Sequence, residues 1–152
     1  MDLRTRITEG MKDALRAREA DRLSTLRLIN AAIKDRDIAA RGDGEDGPVG
    51  DDIVLALLGK MVKQRGESAK AYEEGGRPEL ADKERAEIRV IEEFLPRQLT
   101  EAEVSAAIDA AVAATGATSI RDMGRVMAEL KGRYTGQMDF GRAGGAVKGR
   151  LG

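Results

Sequence analysis

Apolar residues recur at spacings of three and four along most of the chain, which is the period of an amphipathic helix. On residues 2–17 a single apolar stripe is formed by Leu3, Ile7, Met11 and Leu15. After a short break at residues 16–21, a second stripe places five side chains inward: Leu23, Leu26, Ile29, Ile33 and Ile38. Two helices with so short a connection usually pack antiparallel, so the pattern predicts a helical hairpin.

A loop is predicted at residues 41–50, where four glycines and Pro48 interrupt the helical pattern. A long helix then begins at residues 51–52, where two acids suit a helix start, and it ends at the pair Gly75-Gly76. Its inward stripe is Val54, Leu58, Met61, Arg65, Ala69 and Tyr72.

Arg65 is the charged member of that stripe, so we expect it to form an ion pair with Glu84 or Glu87 of the following helix. That helix begins at Pro78, since proline suits a first helical turn, and it runs to about Leu95. Its predicted buried side chains are Leu80, Ile88, Ile91, Phe94 and Leu95.

Residues 96–100 form the clearest domain boundary. Pro96 stops one helix, and Thr100 with Glu103 has the capping-box pattern that starts the next. The inward residues of three further helices are Val104, Ile108, Ala111 and Val112, then Ile120, Met123, Val126, Met127 and Leu130, then Phe140, Val147 and Leu151. A basic, glycine-containing turn at residues 131–136 is predicted between the last two helices.

The fold class that follows is all-α. No segment alternates apolar and polar residues over the length of a strand, and the abundant residues favour helix. We expect an N-terminal helical hairpin domain of about four helices at residues 1–97, followed by a small three-helix domain at residues 99–152.

Composition removes several kinds of chemistry. The chain has no Cys and no His, which excludes disulfides, zinc-finger sites and any Ser-His-Asp or Cys-His arrangement within it. The adjacent carboxylates at residues 51–52 and 92–93 point about 100° apart on a helix, so they do not converge as an acid–base pair. We therefore predict no catalytic residue, no cofactor and no metal site, although an oxygen-only Mg²⁺ site stays open.

Location is predicted from two absences in the sequence. There is no run of 18 apolar residues, and the first residues lack the apolar core of a secretory signal. We expect a cytoplasmic protein without a membrane partner.

Charge is distributed unevenly along the chain. Residues 1–41 carry ten basic and seven acidic side chains, a net of +3, and residues 42–118 carry nine and seventeen, a net of −8. Residues 119–152 carry seven and three, a net of +4. The two ends would attract a polyanion, whereas the middle would repel one.

Three segments together resemble the GatB/YqeY-like family of small bacterial proteins. They span residues 23–41, 60–104 and 119–151, in family order. The last segment is also similar to the tail domain of GatB, a subunit of the amidotransferase that amidates Glu-tRNA(Gln) or Asp-tRNA(Asn). The matching positions there are Gly124-Arg125-Val126-Met127 followed by Lys131-Gly132-Arg133.

The resemblance implies an association with tRNA, because the GatB tail is associated with holding tRNA. It also implies a place beside carbon–nitrogen ligases that use glutamine as amido donor. An aminoacyl-tRNA synthetase or an amidotransferase complex is a further implied partner, and DNA is not. The catalytic cradle of GatB has no counterpart in this chain, so we expect a protein that is non-catalytic by itself.

The candidate nucleic-acid site lies in the tail. Its available cations are Arg121, Arg125, Lys131, Arg133, Arg142, Lys148 and Arg150. We assign the contact to Arg125, Lys131, Gly132, Arg133, Tyr134 and Lys148. Arginine offers a bidentate fork to phosphate, and Gly132 and Gly136 permit close approach. Helix starts near Ser119 and Asp139 would add backbone N–H donors.

Other interpretations of the tail remain open. Its cations are equally consistent with a solvated basic helix pair. Gly141, Gly145 and Gly149 recur at spacing four, which would allow another helix to pack closely. The alternative function is a helical adaptor that binds proteins without RNA. An amidase or ligase is disfavoured, since His, Cys and an amidase serine run are missing.

Overall fold

The computed structural model describes residues 2–45 and 47–152, and every regular element in these residues is helical. The α-helices are α1 (Leu3–Arg16), α2 (Ala20–Gly42), α3 (Asp51–Glu74), α4 (Pro78–Glu92), α5 (Glu101–Thr115), α6 (Met123–Tyr134) and α7 (Phe140–Leu151). A short 3-10 helix at Ile120–Asp122 precedes α6. The predicted all-α class is confirmed. None of the helices in the described residues is long and apolar enough to cross a bilayer.

The chain divides into two compact units, Met1–Pro96 with α1–α4 and Arg97–Gly152 with α5–α7. Each unit encloses its own cluster of buried apolar residues. The two units are called unit 1 and unit 2 below.

The core of unit 1 is built from large aliphatic side chains. The largest side chains with less than 2% exposure are Ile7, Leu26, Ile29, Ile33, Val54, Leu58 and Ile91. Between α3 and α4 the chain turns at Gly76, whose φ of 73° lies in the left-handed region that glycine adopts without strain. The Arg77 N–H donates to the Tyr72 carbonyl at 2.7 Å, and Pro78 starts α4 as predicted.

Three side chains that were predicted inward point to solvent instead. Leu15 is 62% exposed, Ile38 is 63% exposed, and Ile120 in the 3-10 helix is 46% exposed. A spacing of four drifts by about 40° per step on a helix, so Leu15 has rotated by about 120° from Leu3. Ala14 takes the buried position in α1, and Asp37 takes it in α2.

Asp37 of α2 is buried at a point where it connects α2 to α1 and to the segment that precedes α3. Its carboxylate accepts two hydrogen bonds from the Arg4 guanidinium, at 2.9 and 2.5 Å, and a third from the Val49 N–H at 2.9 Å. Arg4 and then Val49 hold the pKa of Asp37 below its usual range. The hydrogen bond between Val49 and Asp37 therefore fixes the end of the loop that was predicted at residues 41–50. Asp46, which was predicted within this loop, lies outside the described residues.

Further ion pairs connect the helices of unit 1. Arg65 donates to Glu87 at 3.0 Å, which confirms the expected pairing across α3 and α4, and both side chains are less than 20% exposed. Arg22 pairs with Glu93 in the same unit. Arg6 lies over the Phe94 ring, 5.5 Å from its centroid.

Unit 2 begins with the predicted capping box. The Glu103 N–H donates to Thr100 Oγ1 at 3.2 Å, and the Thr100 N–H donates to Glu103 Oε1 at 3.0 Å. Arg97 binds the same carboxylate through two bonds and, with the Thr100 N–H, lowers the pKa of Glu103 to about 2. The core is made of smaller side chains than in unit 1: Ala107, Ile108, Ala111, Val126, Leu130, Ala143 and Val147.

Candidate nucleic-acid interface

The chain reversal between α6 and α7 lies later than predicted. Helix α6 continues through Tyr134, so Lys131, Gly132 and Arg133 are helical rather than part of a turn. The reversal falls at Gly136, whose φ is 78°. The Lys-Gly-Arg pattern was misleading because one exposed glycine lowers helix propensity without ending a helix.

The turn itself is held by residues that precede α5. The Leu99 N–H donates to the Gln137 carbonyl at 2.9 Å, and Gln98 Nε2 donates to the Gly136 carbonyl at 2.5 Å. Within the turn, the Gln137 N–H donates to the Tyr134 carbonyl at 2.9 Å. The connection between α6 and α7 is therefore fixed by residues that lie about 40 positions earlier in the chain. No local sequence pattern reveals such a contact.

The candidate cations differ in how they are engaged. Arg125 binds Asp122 at 2.6 Å and donates to the Thr115 carbonyl at 3.1 Å. Arg133 pairs with Glu129 at 2.7 Å, one turn earlier in α6. Both arginines thus have acidic partners within their own unit.

Lys131 and Lys148 are the cations that remain available among the assigned site residues. Both are exposed, and neither forms an ion pair with any residue of the described chain. Arg121 and Arg142 are also exposed and form no ion pair with the described residues. Arg150, by contrast, binds Asp109 at 2.6 Å.

An acidic side chain caps each of the two helix starts that were expected to offer N–H donors to a phosphate. Asp122 accepts from the N–H groups of Thr118 and Ser119, at 2.9 and 3.3 Å. The bond from Thr118, followed by that from the Arg125 guanidinium, lowers the pKa of Asp122 to about 2. At α7, Asp139 Oδ1 accepts from the Gly141 N–H at 2.9 Å. A phosphate at either position would meet a carboxylate.

Tyr134 packs toward the interior of unit 2. It is half-buried and lies against the apolar cluster that contains Leu130. Its ring is therefore part of the packing, and stacking on a base would require it to leave the core.

Glycines occupy much of the solvent face of α6 and α7. A Cβ added at Gly124, Gly132, Gly145 or Gly149 would meet no other atom within 4 Å. No helix in the described residues packs on Gly145 and Gly149, although their spacing had suggested such a contact. The backbone is consequently open beside Lys131 on α6 and Lys148 on α7.

A cavity of about 440 Å³ between α5, the turn and α7 was not found by sequence reasoning. Its apolar floor includes Val104 and Ile108, and Arg142 lines it on the α7 side. The lining residues come from three separate stretches, so their convergence depends on tertiary packing.

Comparison with known families gives a match over nearly the whole chain. The model of the family described as Yqey-like protein matches residues 4–151. A curated relative in Eremothecium gossypii, named altered inheritance of mitochondria protein 41, mitochondrial, is 28% identical over 94 residues. That match covers 62% of this chain and 49% of the relative.

Two further relatives are also fungal. The protein of the same name in Meyerozyma guilliermondii is 36% identical over 90 residues, which cover 59% of this chain and 44% of the relative. An uncharacterized protein of Schizosaccharomyces pombe is 28% identical over 96 residues, covering 62% of this chain and 73% of the relative. The match thus spans about half the length of the two mitochondrial relatives.

Proposed function

Because the chain belongs to the Yqey-like protein family, we propose that it is a tRNA-binding accessory protein, non-catalytic by itself, that works beside a tRNA-dependent amidotransferase. The observation that carries the proposal is the solvent face of α6 and α7. On each of these helices, an exposed lysine that forms no ion pair with the described residues lies close in sequence to a glycine that leaves the backbone open.

Lys131 and Lys148 supply the charge. A lysine that is already paired must break that pair before it neutralises a phosphate, whereas these two have no such cost. Each phosphate contact also releases condensed counterions, which favours binding at low salt. The surrounding segment, residues 119–152, has a net charge of +4 from seven basic and three acidic side chains.

Gly132 and Gly145 leave space beside the helix backbone for an RNA strand. Without a Cβ at these positions, a sugar–phosphate backbone can approach the helix more closely than it could beside any other residue. Packing against the described residues does not explain a glycine at either position, because an added Cβ would meet none of them outside its own helix. Since Tyr134 is turned toward the core, recognition rests on phosphate position and RNA shape rather than on base stacking.

The test is a salt titration of binding to total tRNA by fluorescence anisotropy. We expect Lys131→Glu with Lys148→Glu to weaken binding roughly tenfold at low salt and to reduce the slope of log affinity against log salt by about two. The matched control is Lys60→Glu with Lys70→Glu on α3, which changes net charge equally. Both control lysines are exposed and form no ion pair with the residues that the structure describes.

Two outcomes oppose the proposal. If the unaltered protein does not bind tRNA at low salt, the proposal that it binds tRNA is wrong. Equal loss in the control variant would show that net charge, and not the α6–α7 face, governs the association.

A further inference from the structure

Helix α2 has a second regular face that lies opposite the core. Its residues follow one another at alternating spacings of four and three: Ser24, Leu28, Ala31, Asp35, Ile38 and Gly42. All six are exposed. This 4-3 repeat is the spacing of the seam that one helix presents to another in a coiled coil. We call these six residues the outer seam.

The outer seam contains two large apolar side chains in solvent. Leu28 is 46% exposed and Ile38 is 63% exposed. They are ten residues apart, which is about 15 Å along the helix. The buried stripe through Leu26, Ile29 and Ile33 already attaches α2 to unit 1. Packing within the chain therefore does not explain the apolar character of the outer seam.

A basic edge runs along one side of the seam. Arg27, Lys34 and Arg41 recur every seven residues, each directly before a seam residue. All three are exposed, and none forms an ion pair within the described part of the chain. By contrast, Arg4 and Arg65 of the same unit are held by acids.

The other edge of the seam carries small side chains. Ala39 there is exposed, whereas Ala32 is half-buried and packs against the core of unit 1. In a two-helix seam the charges at the flanking positions select the partner. The basic edge of this seam therefore favours a partner helix with acidic flanking positions.

We propose that the outer seam binds an acidic amphipathic helix of a partner protein. Apolar side chains of that helix cover Leu28 and Ile38, and its acids lie beside Arg27, Lys34 and Arg41. Asp35 sets the register, since the partner must place a polar or basic group opposite it. The interface belongs to unit 1 and is independent of the proposed tRNA contact in unit 2.

A second copy of this chain fits the outer seam poorly. Antiparallel pairing that joins Leu28 to Ile38 would place Lys34 against Lys34 and Arg27 against Arg41. Parallel pairing would place Asp35 against Asp35 inside the contact. Both arrangements bring like charges together, which disfavours self-association.

A lipid or RNA surface fits less well than a helix. Two apolar side chains bury little area in a bilayer, and Asp35 between them would face anionic headgroups. RNA phosphates would be attracted by Arg27 and Lys34 but gain nothing from Leu28 and Ile38. An acidic amphipathic helix, by contrast, can cover Leu28 and Ile38 and pair with the basic edge at the same time.

The experiment uses the full chain and a synthetic helical peptide of about three heptads with Leu at both seam positions and Glu at both flanking positions. A peptide with Lys in place of every Glu is the comparison. In fluorescence anisotropy we expect the acidic peptide to bind, and Leu28→Gln with Ile38→Gln to weaken binding roughly tenfold or more. Leu15→Gln is the matched control, because Leu15 is equally exposed and lies outside the seam.

Charge reversal tests the basic edge. Replacing Arg27, Lys34 and Arg41 by Glu should abolish preference for the acidic peptide and create binding of the lysine peptide. Circular dichroism melts of all variants should match the unaltered protein, since the changed residues are exposed.

Several results would overturn the proposal. They are failure of the acidic peptide to bind at low salt, equal binding of both peptides, and loss of binding in the Leu15→Gln control. Sedimentation showing a dimer that the seam variant dissociates would make a second copy the occupant. Binding to phosphatidylserine vesicles or to tRNA that the seam variant loses would make the surface a lipid or RNA site.

Discussion

Units 1 and 2 use their charged residues differently. In unit 1, ion pairs join separate parts of the unit, namely Arg4 with Asp37, Arg22 with Glu93, Arg65 with Glu87, and Arg85 with Glu73, beside local pairs such as Lys12 with Glu9. In unit 2, Arg150 of α7 also joins Asp109 of α5, but the pairs on or beside α6 are local, three or four residues apart: Arg125 with Asp122 and Arg133 with Glu129. A cation in a cross-helix pair stabilises the fold, whereas breaking an exposed local pair costs little. Helix α6 is thus a better place for a charged ligand than the cross-helix pairs of unit 1.

The two cores also differ, because unit 1 buries larger side chains than unit 2 does. Unit 1 buries leucine, isoleucine and Phe94, while unit 2 relies on alanine, valine and one each of leucine and isoleucine. Small side chains let helices approach closely but bury less apolar area per residue. We therefore expect core truncation in unit 1 to be costly, and three changes, in order of expected size, test how the two units differ.

Leu26→Ala should have the largest effect. Leu26 has no exposed surface, so its loss should cost about 3–4 kcal/mol of unfolding free energy. Amide hydrogen exchange measured residue by residue should show lost protection in α1–α4 and unchanged protection in α5–α7, whose apolar cluster contains no residue of unit 1. Equal loss throughout the chain would mean that the two cores unfold together.

Glu87→Ala should come next, with Glu129→Ala as its counterpart. Removing Glu87 leaves the largely buried Arg65 guanidinium without its acid, at a cost of about 3 kcal/mol. Removing Glu129 breaks an exposed pair within one helix, at a cost of roughly 0.5 kcal/mol or less. Urea denaturation measures both, and similar values would contradict the distinction between cross-helix and local pairs.

Gly145→Ala should have a smaller effect than Leu26→Ala or Glu87→Ala, and the opposite sign. The added methyl group meets no atom, and alanine favours helix, so stability should rise by about 0.5–1 kcal/mol in thermal unfolding. If the proposed tRNA contact is correct, the same change weakens tRNA binding. Gly136→Ala is the control, because the φ of 78° there makes any side chain destabilising.

The sequence was informative where a local pattern has a local cause. Thr100 and Glu103 satisfy each other within one turn, so the start of α5 could be predicted. Pro78 marks the start of α4 for the same reason. The pairing of Arg65 with an acid of the next helix also follows, because a charge on an apolar stripe requires a partner.

Other features depended on distant residues. Asp37 could not be recognised as a buried residue until Arg4 and Val49 were placed around it, and its burial is what turns Ile38 outward. In the candidate site, the cations were found by charge alone. Their separation into paired and unpaired groups required Asp122 and Glu129 to be located.

The contact between Asp37 and Val49 also makes the preceding loop a place for engineering. The Val49 N–H is fixed at 2.9 Å from the carboxylate, whereas Gly47 and Pro48 just before it are exposed. The Glu45 N–H, by contrast, donates to the Ala40 carbonyl at 3.0 Å at the end of α2. Added chain length in a loop costs little, since each doubling of a loop adds only about 0.6 kcal/mol of closure free energy. An epitope tag or a fluorescent reporter inserted between Gly47 and Pro48 would therefore lie outside both contacts and leave α2 and α3 in place.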